Sequence, residues 1–438
     1  MAMTDTLSKK VLVLLIGEVL EDPRVFKTCV SLCKNGADVT VVCTNPSEKP
    51  TRETCSGFSI IRFPHPKDFM LKQLYNWLQG RIRPEVGRRV SRIHEEVPAS
   101  PMRAAVRNAL LSMNFSHRLR GIRTVNRQMA AAFTRGNVSA TRLHDDTSVG
   151  SFDLVHCNDV DTLAAGNALK RAGIAREVLY DAHEFWPGIG VHGSAPNAAL
   201  GKLEAAGIAE ADYVVTVNPY IADMIQKEYG LADTPAVVMN CPTVYDGPVE
   251  TDIVHNPVRV LYQGKVQAFR GLENLVLAFR HIGNAELTVS GYGPLTERLS
   301  LLAASEGIDH KVHVTGRYDP ADALPIICRH DIGVLPFDSV TLSIMYSSPN
   351  KLFDYAMGGL AIAASNLPYL KQFIGENGAG MVFERNDPES IASTIAAMTS
   401  NAVKLREFKR NARKAALERY HWGKQFTEHY PWNPAGRY

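Results

Sequence analysis

Six short stretches of this chain combine glycine or a helix-start signal with residues able to hold an anion or move a proton. Gly17-Glu18, His156-Cys157-Asn158-Asp159 and Asp181-Ala182-His183-Glu184 lie in the first half. Gly264-Lys265 with Arg270-Gly271, Gly291-Tyr292-Gly293-Pro294 and Ser348-Pro349-Asn350-Lys351 lie in the second. Each follows an apolar run of strand length. The last is the most explicit. Ser348 can cap a helix, Pro349 suits the first helical position, and Gly358-Gly359 ends the segment. Asp354, four residues after Asn350, lies near the same helix face. A helix start carries partial positive charge and unpaired N–H groups, so it is a ready phosphate site. The same signals also describe an ordinary α/β helix with no ligand.

These turns can act together only if the strands before them lie side by side. In open parallel sheets ligands bind outside the carboxyl ends of the strands. Val11–Ile16 is a continuous apolar run, as expected of a strand buried on both faces. Strands are then expected over 38–44, 58–63, 154–157, 177–182, 213–218 and 236–240, with helices between them. Asn240 to Pro257 is aperiodic and rich in turn formers, which marks a linker. A second unit is expected to carry strands over 258–263, 286–290, 312–315, 331–337, 360–364 and 381–383. Two successive doubly wound parallel units follow from this rhythm, and two such rims facing each other make a cleft.

The 438 residues exceed one typical core, and 45% hydrophobic with 21% charged residues is a globular composition. No apolar run reaches the roughly 18–20 residues of a membrane span. The polar start lacks the form of a signal peptide, and seven scattered cysteines read as reduced thiols of a cytoplasmic protein. Charge is unevenly spread. Arg62 to Arg142 carries 16 Lys/Arg against four Asp/Glu, in a chain of net charge +3. Periodicity predicts two basic helices there, over 72–96 and 102–133. They read either as a solvated insertion or as a basic amphipathic face for an anionic membrane through 72–133. Few interleaved aromatics and no recognised motif argue against nucleic acid.

Five motifs in order carry a family resemblance. They are Asp22-Pro23-Arg24-Val25, Tyr180-Asp181-Ala182-His183-Glu184, Gln263-Gly264-Lys265 with Arg270-Gly271-Leu272-Glu273, Gly291-Tyr292-Gly293-Pro294, and Pro349-Asn350-Lys351-Leu352-Phe353-Asp354-Tyr355. Together they resemble glycosyltransferase family 4, retaining sugar-nucleotide transferases of the GT-B fold, across nearly the whole chain except about 65–150. The resemblance implies an α/β GT-B architecture of two Rossmann-like domains facing across a cleft. The first, 1–240, would take the acceptor and carry the basic insertion; 241–257 would link; 258–418 would bind the nucleotide sugar. Residues 419–438 would return to the first domain, and the cleft would close about the linker and that crossing.

The resemblance further implies a nucleoside-diphosphate sugar donor, UDP- or GDP-linked, no metal or other cofactor, and a glycan or lipid-linked acceptor. Lys265 and Arg270 match the basic pair that holds the diphosphate. Fixed cations there would stabilise the charge that grows as the glycosidic bond breaks. Gly17, Gly291 and Gly293 match close backbone approaches, and Pro349, Asn350 and Lys351 the helix start that adds N–H donors. Asp354 matches the carboxylate on the ribose hydroxyls, one methylene shorter than the usual Glu. Eight positions earlier, where a sugar-contacting Glu is usual, this chain has Tyr346, which would hydrogen-bond the sugar or a phosphate, or pack. His183 matches the first-domain His near the donor sugar, with Glu184 orienting it or serving the acceptor. His156 is a weaker candidate of the same type. Asp159-Val160-Asp161 reads as a helix start rather than a metal motif. The implied role is assembly of a cell-surface glycan or glycolipid by a cytoplasmic enzyme, peripheral on the inner face of the plasma membrane if the basic face binds lipid. A non-catalytic binding protein on the same fold and a sugar-nucleotide epimerase or hydrolase are the alternatives.

Overall fold

The structure, a computed structural model, describes residues 8–45, 51–64, 152–189, 195–338, 341–432 and 434. The basic helices expected over 72–96 and 102–133 lie outside the described residues. The chain divides into two compact units, Met1–Val238 with His429–Tyr438, and Met239–Glu428.

The first unit is built on eight strands: β1 (Lys10–Leu14), β2 (Asp38–Asn45), β3 (Thr51–Cys55), β4 (Phe58–Pro64), β5 (Phe152–Asn158), β6 (Ala175–Ala182), β7 (Tyr213–Thr216) and β8 (Ala236–Val237). Their order in the sheet is β3-β4-β2-β1-β5-β6-β7-β8. All pairs are parallel except β3 with β4. β1 is central, and Val11 to Leu14 are fully buried, as its unbroken apolar run requires. β3 was not expected. Its sequence Thr-Arg-Glu-Thr-Cys is polar and its first four residues are exposed, because it pairs along one edge only and leaves no apolar stripe.

The strand order turns at β1 and β5, so this unit's ligand crevice is expected at their carboxyl ends. The helix after β1, Pro23–Lys34, starts where its signals say it should. Asp22 Oδ1 accepts from the backbone N–H of Arg24 and Val25, with Pro23 at the first position.

The second unit holds an all-parallel six-stranded sheet, of β9 (Val258–Gln263), β10 (Ala285–Ser290), β11 (Val312–Gly316), β12 (Ile332–Leu335), β13 (Ala361–Ser365) and β14 (Gly380–Phe383). The order is β11-β10-β9-β12-β13-β14, so it turns at β9 and β12. Its core joins Val260, Tyr262, Leu287, Val334 and Ala363 from the sheet with Leu275, Phe279, Ile395 and Leu405 from the helices. A buried charge network ties the opposite, amino end of β12 to the helix Ala402–Glu418. Lys409 Nζ reaches Asp331 Oδ1 at 2.9 Å and the carbonyl of Ile253 at 2.6 Å.

After β12 the helix Asn350–Met357 buries Leu352, Phe353, Tyr355, Ala356 and Met357. One expectation is corrected here. Pro349, with φ −66° and ψ 134°, occupies the cap position rather than the first helical one, so Ser348 lies one residue before the cap. With no N–H to donate, Pro349 removes a donor just outside the first turn.

Candidate functional site

In the first unit a buried charge cluster assembles at the carboxyl ends of β5 and β6. Arg24, projecting from the helix after β1, holds Asp181 bidentately, Nε to Oδ2 at 2.8 Å and Nη2 to Oδ1 at 2.7 Å. Its remaining Nη1 donates to the carbonyl of Val238 at 2.6 Å. Both residues are at most 2% exposed. Such a pair is tolerable in the interior because its geometry is planar and its lone pairs are used. Asp181 also faces two imidazoles, His156 Nε2 at 3.4 Å and His183 Nε2 at 3.5 Å. Burial alone would raise the Asp181 carboxyl, but the Arg24 guanidinium and these imidazoles outweigh it and hold it well below the usual carboxylate range.

His183 is thus placed between two carboxylates. Its Nδ1 lies 3.4 Å from Asp159 Oδ2, and its backbone N–H donates to Asp159 Oδ1 at 3.1 Å. Burial opposes a charge on this ring, but Asp159 and then Asp181 overcome it and raise it to about 9. The ring therefore carries a positive charge at neutral pH. Asp159 stands at the cap of the helix Val160–Arg171 yet makes no capping bond; its carboxylate goes to His183 instead. Its backbone sits at φ 58° and ψ 168°, a conformation that side-chain-bearing residues avoid. Glu184, next along, is exposed. Gly17, at φ +132°, exchanges hydrogen bonds with Thr44, its N–H donating to Thr44 Oγ1 and its carbonyl accepting from the Thr44 N–H.

In the second unit the polar residues gather at the carboxyl ends of β9 and β12, where the strand order turns. Lys351 Nζ donates to Tyr262 Oη at 3.1 Å and lies 4.2 Å from that ring's centroid. Tyr262 Oη in turn donates to the carbonyl of Lys265 at 2.9 Å. The Arg270 guanidinium stands 5.0 Å from the centroid of Phe337, with Lys351 Nζ 5.5 Å from the same ring. Two cations and two aromatic faces thus share one corner. Burial and then the nearby Arg270 pull the Lys351 ammonium down to about 7, with Asp354 opposing. Lys265 itself points to solvent, and Arg270 is half-buried.

Gly291 and Gly293 have a packing reason. A Cβ at Gly291 would lie 1.8 Å from the carbonyl oxygen of Gly264, and one at Gly293 2.0 Å from that of Val266. The two loops after β9 and β10 therefore touch backbone to backbone, with Val266 N–H donating to the Tyr292 carbonyl at 2.9 Å. Tyr346 ends a short helix, Leu342–Met345, and is half-buried.

The structure brings His183, Asp181 and His156 together in the first unit, and Lys265, Arg270, Lys351, Asp354 and the Gly264 loop together in the second. Three members of the first cluster were not expected as site residues: Arg24, Asp181 and Tyr430. The first two sit inside quoted motifs, so the signal was present. Tyr430, whose hydroxyl is 2.7 Å from His156 Nδ1, has no local signal.

Comparison with known proteins identifies the second cluster's domain. Residues 248–415 match the family described as glycosyl transferases group 1. Residues 248–415 are a group 1 glycosyl transferase domain. The chain therefore carries a glycosyl transferase domain, and its fold is GT-B. An uncharacterized glycosyltransferase of Methanocaldococcus jannaschii is 23% identical over 302 residues, 63% of this chain and 73% of that protein. Sucrose-phosphate synthase from Thermosynechococcus elongatus superposes with TM-score 0.65 at 14% identity, covering 96% of this chain and 97% of that one. Anabaena HepE, solved in complex with UDP, superposes with TM-score 0.64 at 11% identity, covering 96% and 98%. Among the described residues no helix is long and apolar enough to cross a membrane.

Proposed function

We propose that this glycosyl transferase moves a sugar from a nucleoside-diphosphate sugar to a glycan or lipid-linked acceptor, with retention of configuration and without a metal, in the manner of family 4. The observation that carries the reading is the cation corner of Arg270 and Lys351 at the strand-order turn of a group 1 glycosyl transferase domain. Lys265, Arg270, Lys351 and the backbone of the Gly264 and Gly291–Gly293 loops take the diphosphate, and fixed cations there stabilise it as it leaves. Asp354 takes the ribose, and Tyr346 and the Pro349–Asn350 turn complete the donor site. The protonated His183 acts on the sugar side, with Glu184 and Gly17 at the same rim. The complexes of HepE with UDP and with UDP-glucose support a UDP-linked donor by fold analogy. The first domain, 1–240, takes the acceptor and 258–418 the donor, with 419–438 returning to the first. The basic segment 72–133 holds the enzyme to the inner face of the plasma membrane.

The test is a thermal-shift panel with UDP, GDP, ADP and CMP on the wild type and on Lys265→Ala/Arg270→Ala. A nucleotide at about 100 times its Kd adds roughly 2.7 kcal/mol. A shift with one diphosphate, lost in the double variant, supports the reading and names the base. No shift with any of the four would refute it.

A further inference from the structure

Tyr430 lies in the chain's last ten residues, yet it is built into the cluster around His183. Its hydroxyl lies 2.7 Å from His156 Nδ1, and the two rings stack with centroids 5.9 Å apart and planes 14° apart. His156 is fully buried. Its other nitrogen, Nε2, faces Asp181 Oδ2 at 3.4 Å. That geometry selects a tautomer. A ring nitrogen without hydrogen facing a carboxylate in a dry site would set lone pair against lone pair, so Nε2 carries the proton. Nδ1 is then an acceptor, and the tyrosine hydroxyl is its donor. The same Asp181 oxygen lies 2.8 Å from Arg24 Nε and 3.5 Å from His183 Nε2.

We propose that Tyr430 is a positioning residue: by donating to His156 Nδ1 it fixes the His156 proton on Nε2, and His156 with Arg24 then aims Asp181 at His183. The inference rests on the role proposed above for His183, and adds to it a residue that touches no reacting group. Asp159, Asp181 and Arg24 face His183; Asp181 and Tyr430 face His156; Asp181, Cys29 and Arg24 face Tyr430. A single hydroxyl is thus the sole difference between the wild type and a Phe variant in an otherwise unchanged charge set.

The experiment is Tyr430→Phe in the full chain, read by nitrogen-15 NMR of the two histidines and by the pH profile of turnover. In the wild type, His156 holds its proton on Nε2. In the variant, Nδ1 has lost its donor, the ring proton is free to move from Nε2 to Nδ1, and Asp181 loses the contact that aims it at His183. The His183 midpoint then falls by about half a pH unit or more, and the alkaline limb of the turnover profile falls with it, while the donor KM is unchanged. An unchanged His156 tautomer with an unchanged His183 midpoint overturns the proposal. A moved midpoint with unchanged turnover upholds the tether and overturns instead the role of His183. If the Phe variant loses its thermal transition, His156→Gln reads the link from the other side. Its amide still offers N–H to Asp181 and oxygen to Tyr430, so His183 keeps the wild-type midpoint; a fall there overturns the proposal.

Discussion

Replacing Lys351 with methionine should make this enzyme more stable in mild acid and poorer at holding a diphosphate. The ammonium sits against the faces of Tyr262 and Phe337 beside Arg270. Burial and Arg270 pull it from 10.5 to about 7. The sign follows from proton counts. Between pH 7 and 10.5 the unfolded chain binds the lysine proton and the folded chain does not, so stability rises with pH across that window. Below pH 7 both states are charged, and the folded one carries the full penalty. At about 1.4 kcal/mol per pH unit the displacement from 10.5 is on the order of 5 kcal/mol. The side chain is not sealed from water, and solvent screening reduces the expected gain on removal to about 2 kcal/mol. For a unit of this size that is a rise of about 4–8 °C at pH 6. At pH 10 the gain should largely vanish. An anion beside Arg270 would restore the charge, so diphosphate affinity in the wild type should fall as pH rises above 7, and the methionine variant should bind weakly with a flatter profile. Thermal melts at pH 6 and pH 10, with calorimetric titration of UDP, give both quantities. A variant no more stable than the wild type at pH 6 would refute the assignment of a strained charge at this corner.

Three further outcomes are expected. Asp181→Asn leaves Arg24 buried without its counter-charge and should lower unfolding free energy by about 3–5 kcal/mol in denaturant melts; a loss under 1 kcal/mol would show that water reaches the pair. Gly291→Ala places a methyl 1.8 Å from the Gly264 carbonyl, so it should lower the thermal midpoint and weaken nucleotide binding together; normal binding at an unchanged midpoint would contradict the contact between the two loops. His183, raised to about 9, gives folded-state stability that is complete below pH 6.5 and lost as pH rises through 9. His183→Gln should accordingly cost stability at pH 6 but little at pH 10, while turnover falls at both. An equal thermal loss at both pH values would mean that the ring is held by packing rather than by charge.

Residues buried on both faces were the most legible. The run Val258–Gln263 was bounded correctly as a strand because it is apolar almost throughout and a turn follows it. β3 escaped because an edge strand paired on one side needs no apolar face. The cap position falls at Pro349, one residue past Ser348, because three adjacent residues carry helix-start chemistry and the packing of Leu352, Phe353 and Tyr355 decides where the helix begins. At the site, short motifs brought His183 and Lys351 into view, since one sits just past a strand and the other at the start of a helix. The partners that set their charges were not visible. Arg24 and Asp181 are 157 residues apart, and His156 and Tyr430 are 274 apart. No spacing rule reaches across such separations; only the order of strands in the sheet does.

Asp159 illustrates how two demands can meet at a single position. Its backbone, at φ 58° and ψ 168°, suits glycine alone, while its carboxylate is the nearer of the two that hold His183 in its charged form. Glycine would relax the main chain, by about 1–3 kcal/mol, and would strip the imidazole of that partner. A library selected only for heat resistance should therefore drift to glycine at 159, and one selected for turnover should return to aspartate. The position is a natural gauge of which pressure, folding or chemistry, has governed a given descendant of this chain.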